Sequence, residues 1–117
     1  MKILLAVDGS KFSDAAVREV ARRPWPGGSE VRIISAAEAA HIPAPAPHGA
    51  AADLYAEALR DAREQARLAV DLAASKLSGE AGAALRITTD APTGPAREVI
   101  LREAEEWGAD RSRESAP

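Results

Sequence analysis

The run Lys2-Ile3-Leu4-Leu5-Ala6-Val7 is apolar without alternation after its lysine, and it stops abruptly at Asp8-Gly9-Ser10. A short unalternating run of this kind is a strand buried on both faces, the habit of parallel sheets. It constrains everything downstream, because parallel strands can be joined only through long crossovers, usually helices. The sequence supplies them. From Phe12 to Arg23 the period changes: Phe12, Ala16 and Val20 are four apart with Val17 and Ala21 beside them, and Lys11, Asp14, Arg18 and Glu19 point elsewhere. This predicts an amphipathic helix, capped by Ser10 or Ser13 and stopped by Pro24-Trp25-Pro26-Gly27-Gly28.

Glu30–Ala36 (EVRIISA) is rich in β-branched residues and predicts a second strand. Ala39 to Ala52 carries Pro43, Pro45, Pro47 and Gly49 among alanines, and is expected to be a mobile loop. A long helix is expected from Asp53 to Leu77, where Tyr55, Leu59, Ala62, Ala66, Ala69, Ala73 and Leu77 recur at spacings of three and four. Ser78 to Gly82 is expected to be a turn and Ala84–Thr89 (ALRITT) a third strand. Thr93-Gly94-Pro95 opens a third helix with Pro95 at its first position, its buried face marked by Ala96, Ile100, Ala104 and Trp107. The order β-α-β-α-β-α calls for a parallel α/β sheet. Past Gly108-Ala109-Asp110 the pattern stops. Arg111 to Pro117 contains no apolar run and is expected to be a disordered tail, leaving a domain over residues 1–110.

The 117 residues fit one domain, which should bury roughly two-thirds of its unfolded surface. Its core is lightly furnished: aromatic residues make up 3% of the chain and 28 residues are alanine. A net charge of −3 argues against general nucleic-acid binding, which needs a basic patch. The lack of cysteine removes disulfides, thiol catalysis and thiolate metal sites together, and suits a reducing cytoplasm. The apolar runs fall far short of the roughly 20 residues of a membrane helix, and Asp8 interrupts the first run before it could serve as a signal-peptide core.

In an open parallel sheet, ligands sit beyond the carboxyl ends of the strands, near the point where strand order reverses. Asp8-Gly9-Ser10 lies there, ahead of a helix whose free N–H groups favour anions. Gly9 lets the chain turn sharply, and the Asp8 carboxylate can accept hydrogen bonds from a ribose hydroxyl or a base. The same residues serve equally well as a helix cap. Other constellations are weaker. His41 and His48 flank the Pro-rich loop with only Glu38 nearby, which suits a solvated pair better than a metal site. Ser10 lies in no nucleophile elbow, and a phosphorelay receiver would need an acidic pair after the first strand and a lysine later than Lys76. Trp25 and Trp107 suit core or helix-end packing better than a stacking platform.

Val7-Asp8-Gly9-Ser10-x-x-Ser13 behind its apolar run resembles the opening of the universal stress protein family. The likeness continues through Glu30–Ala36, the Pro-rich loop, the alanine-rich helix, Thr93-Gly94-Pro95-Ala96-x-x-Val99-Ile100 and Ala104-x-x-Trp107-Gly108-Ala109-Asp110. The resemblance implies a three-layer, open parallel α/β sheet of the adenine nucleotide α-hydrolase-like, Rossmann-like kind, with five strands in the family. Family members often dimerise, and one subclass binds ATP. Carried over by motif, Ala6, Val7 and Asp8, with Gly9 and Ser10 following, match the positions that hold adenosine, and Ala36 the one whose backbone meets the adenine.

The family's phosphate site is a Gly-x2-Gly-x9-Gly-Ser/Thr loop after the fourth strand. Gly79-x-x-Gly82 has the first spacing, but Pro92 stands where the third glycine should be, and the pair precedes the third strand. The resemblance therefore implies a domain whose fourth and fifth strands are missing, with ATP binding weakened or lost. It also implies no catalytic machinery and no metal. A first strand left at the sheet edge would expose unpaired backbone groups and promote self-association, as a homo-oligomer or a hetero-dimer with another universal stress protein. A dimerisation module that binds no nucleotide is the alternative, and an ATP-using enzyme of a related fold comes third.

Overall fold

The structure, a computed structural model, describes residues 1–8, 11–38, 50–81 and 85–114. Its elements are β1 (Lys2–Ala6), α1 (Lys11–Arg22), β2 (Glu30–Ile34), α2 (Ala50–Ala81), β3 (Arg86–Asp90), α3 (Ala96–Trp107) and β4 (Arg111–Glu114). All pairings are parallel and the strand order is β3-β2-β1-β4. The α/β class and the alternation expected from the sequence are therefore present, built around β1 as a central strand.

Successive side chains of a strand point to opposite faces. Ile3, Leu5 and Val7 join Val31 and Ile33 against Ala16, Val17 and Val20 of α1 and Val70, Ala73 and Leu77 of α2. On the other face Leu4, Ala6 and Ile34 meet Val99, with Ile100 and Trp107 of α3 beside them. The three layers follow directly from the unalternating apolarity of β1. The indole N–H of Trp25 donates at 2.8 Å to the Val20 carbonyl in the last turn of α1, which also accepts from the Arg23 N–H at 3.4 Å. Both tryptophans thus pack at helix ends.

Four expectations need correction. Residues 50–52, expected in the loop, begin α2, and Ser78 to Ala81, expected in a turn, continue it. The last proline of the loop is Pro47, alanine is the best helix former, and one glycine in a helix costs only about 1 kcal/mol. The remainder of the Pro-rich loop, residues 39–49, lies outside the described residues, as do Gly82 and Ala84. The strands are also shorter than expected, ending at Ala6 and Ile34, and the third is displaced to Arg86–Asp90. Pro95 is the N-cap of α3 rather than its first residue, with ψ of 132° and its carbonyl accepting from the Val99 N–H at 3.0 Å.

The fourth correction matters most. Arg111–Glu114 is not a disordered tail: it forms β4, in register with Ile3 to Ala6. A ladder needs only backbone donors and acceptors, and buried β1 has a free side that costs free energy unless paired. The approach to β4 is fixed before the strand begins. Gly108 takes the left-handed conformation (φ 70°, ψ 47°) and its N–H and that of Ala109 close α3 onto the carbonyls of Glu105 and Ala104. Asp110 then clasps the start of the chain: its N–H donates to the Lys2 carbonyl at 2.8 Å, and its Oδ2 accepts from the Lys2 N–H at 2.7 Å. The edge-strand argument for self-association loses its premise, because β1 is paired on both sides. No fifth strand occurs among the described residues.

Candidate functional site

The carboxyl ends of the strands are tied to one another by backbone bonds. The Val7 N–H donates to the Ile34 carbonyl at 2.9 Å, and the Ser35 N–H to the Asp90 carbonyl at 3.2 Å. Beyond the strands, the Ala37 N–H donates to the Pro92 carbonyl at 2.8 Å and the Gly94 N–H returns to the Ala37 carbonyl at 3.2 Å. These bonds hold residues 35–37 alongside residues 90–94, beyond the carboxyl ends of β2 and β3. Gly94 has φ of 137°, and an added Cβ would stand 3.3 Å from Val99 Cγ2. A side chain there would be strained and would press on the only fully buried residue of α3 among those described.

Above this edge opens a cleft of about 680 Å³. Its floor is Ala6, Val7 and Asp8 from the end of β1 and Ser35 and Ala36 from the end of β2, and its wall is the first half of α3. Ala6, Val7 and Ser35 are buried, so the first two offer only backbone and small apolar surface; Ala36 is half-buried and Asp8 exposed. Ile100 and Leu101 add an apolar side to the wall, and Leu101 is 59% exposed. A smaller hollow of about 140 Å³ lies towards α2, lined by Gln65 and Ala62 and again by Asp8, Ser35, Ala36 and Glu38. Asp8 and Glu38 thus stand on the crest between the two faces of the sheet.

Four of the six residues singled out by sequence, Ala6, Val7, Asp8 and Ala36, line one cleft. Gly9 and Ser10 lie outside the described residues, as do His41 and His48. Sequence reasoning missed Ser35, Glu38 and Arg97, which also line the cleft. Ser35 and Glu38 could have been found as neighbours of Ala36. Arg97 carried a topological signal, because a crossover helix must begin above the carboxyl edge. Among the described residues no group of three or more His, Cys, Asp or Glu could hold a metal ion. No described helix is long and apolar enough to cross a membrane.

An open parallel sheet with a crevice over its central strand, beside the point where the chain reverses direction across the sheet, defines an open-sheet α/β domain, the architecture in which ligands sit at the carboxyl edge. The chain matches the model of the universal stress protein family over residues 1–111, and it belongs to that family. Solved structures show the same fold at low identity. It is similar to the universal stress protein UspA from Lactobacillus plantarum, with 18% identity, a TM-score of 0.75, and coverage of 97% of this chain and 75% of that one. A universal stress protein family member from Burkholderia pseudomallei gives 20% identity and a TM-score of 0.66, covering 98% of this chain and 80% of the other. A family member from Arabidopsis thaliana, solved with AMP bound, gives 15% identity and a TM-score of 0.64, with coverage of 97% and 75%. No curated protein matches the chain in sequence.

Proposed function

We propose that the domain is a non-enzymatic adenine-nucleotide binder of the cytoplasm, acting in stress adaptation, and that it holds the adenosine half of its ligand in the 680 Å³ cleft. The observation that carries this reading is the convergence of Ala6, Val7, Asp8 and Ala36, from two strands, on one concave surface. The backbone at Ala36 meets the adenine edge, Ile100 and Leu101 cover its face, and the Asp8 carboxylate accepts from the ribose hydroxyls. The bound AMP of the Arabidopsis relative supports the choice of ligand class.

Calorimetric titration with adenosine, AMP and ATP tests the reading. Asp8→Ala is expected to weaken all three ligands by about tenfold to a hundredfold, the scale of hydrogen bonds to a charged group. Unaltered affinities in that variant, or no binding by the parent chain, would sink it.

A second reading, a dimerisation module acting as a homo-oligomer or with another universal stress protein, is favoured by α2. Its Leu54, Leu68 and Leu72 are 52%, 69% and 54% exposed, unusual for leucine on a helix that packs on a sheet. A sedimentation measurement showing a dimer that binds no nucleotide would establish it.

A further inference from the structure

Resting on the adenine-nucleotide reading, we infer that Arg97 is the phosphate-recognising residue of the cleft and that the ligand it selects is a nucleoside monophosphate rather than a free nucleoside. Three polar side chains at the crest and floor, Asp8, Ser35 and Glu38, include two carboxylates, and Arg97 is the one cation among the described lining residues. It stands in the first turn of α3, on the wall facing the floor rather than on the crest. Among the described residues it is exposed and makes no ion pair or hydrogen bond, which is equally so of Arg18, Arg22, Arg60 and Arg102; what sets it apart is that it alone of these lines the cleft.

The charge arrangement orients the ligand. A phosphate placed over Asp8 and Glu38 meets two like charges, and one placed towards α3 meets a guanidinium whose planar fork can donate two parallel hydrogen bonds to it. The base and ribose therefore lie over Ser35, Ala36 and Asp8, with the phosphate turned to the α3 wall. One guanidinium satisfies one phosphate. Further phosphates bring charge that the two carboxylates oppose, so the step from adenosine to AMP is large and the step from AMP to ATP small. Leu101, on the same helix beside Arg97, is free to pack on the ligand without competing for its charge.

The test compares adenosine and AMP binding to the full chain and to Arg97→Ala and Arg97→Lys, at two ionic strengths. The parent chain is expected to bind AMP about tenfold more tightly than adenosine, a partly solvent-screened charge-assisted contact. Arg97→Ala is expected to erase that ratio, leave adenosine affinity unchanged and remove the salt dependence of AMP binding; Arg97→Lys keeps part of it. Adenosine affinity also reports that the variant is folded. An AMP-to-adenosine ratio that survives in Arg97→Ala, or that is unity in the parent, overturns the role of Arg97 and leaves the cleft reading standing. Failure of the parent to bind either ligand overturns both.

Discussion

The two faces of the sheet are built to different ends. Towards α1 and α2, the inward residues of β1 and β2, with Val7 just past β1, are all apolar and at most 4% exposed: Ile3, Leu5, Val7, Val31 and Ile33. Towards α3, the strand residues are Leu4, Ala6 and Ile34, interrupted by Arg32, and on β3 by Arg86, Thr88 and Asp90, which are exposed. Arg32 is held rather than buried, 3.2 Å from Glu103 and with its guanidinium 4.8 Å from the Trp107 ring centroid. The first face concentrates apolar burial and hence stability. The second is thin, and its thinness is what leaves room for a cleft beside α3.

Three substitutions would break or sharpen that contrast. Leu5→Ala opens a cavity at the middle of the thick face, where Leu5 is 0% exposed. A loss of about 3 kcal/mol in denaturant unfolding is expected. A loss under 1 kcal/mol would mean that α1 and α2 pack loosely and the contrast is false. Val99→Ala removes the buried anchor of the thin face, and about 1 kcal/mol of stability is expected to go with it. Because Val99 also backs Gly94, AMP affinity is expected to fall in this variant while Leu5→Ala, well below its melting temperature, retains it. Equal effects of the two on binding would erase the division of labour. The smallest effect belongs to the surface of the thick face, where Lys76 Nζ lies 2.6 Å from Asp14 Oδ1 with both side chains over 40% exposed. Asp14→Asn should cost no more than about 0.5 kcal/mol, less at high salt, as thermal melts at two ionic strengths would show.

What the sequence revealed followed the same division. The thick face is written in apolar periodicity, so β1, β2, α1 and the body of α2 were legible from Ile3, Leu5, Val17, Val31, Ile33, Val70 and Leu77. β4 was not, because Arg111-Ser112-Arg113-Glu114 contributes backbone groups to a ladder, and such groups leave no trace in side-chain hydropathy. In the candidate site, Ala6, Val7, Asp8 and Ala36 were legible because strand ends in a parallel sheet gather on one edge. Arg97 left only the topological signal of a crossover helix: it shares the cleft with Asp8 across 89 positions, and its place there depends on where Pro95 and Gly94 set the start of α3.

The clasp between Lys2 and Asp110 also orders events in time. It joins residues 108 apart, and β1 cannot complete its second ladder until that loop closes. Closing a loop of this length costs about 4 kcal/mol in chain entropy on a logarithmic scale, which places it late in folding. On the ribosome, at about 5–20 residues per second, the most apolar strand of the protein waits on the order of 5–20 seconds for its partner to be made. Throughout that interval one side of β1 is open to any other extended chain. The domain's exposure to misassembly is therefore greatest while it is being synthesised, and it ends when Asp110 reaches Lys2.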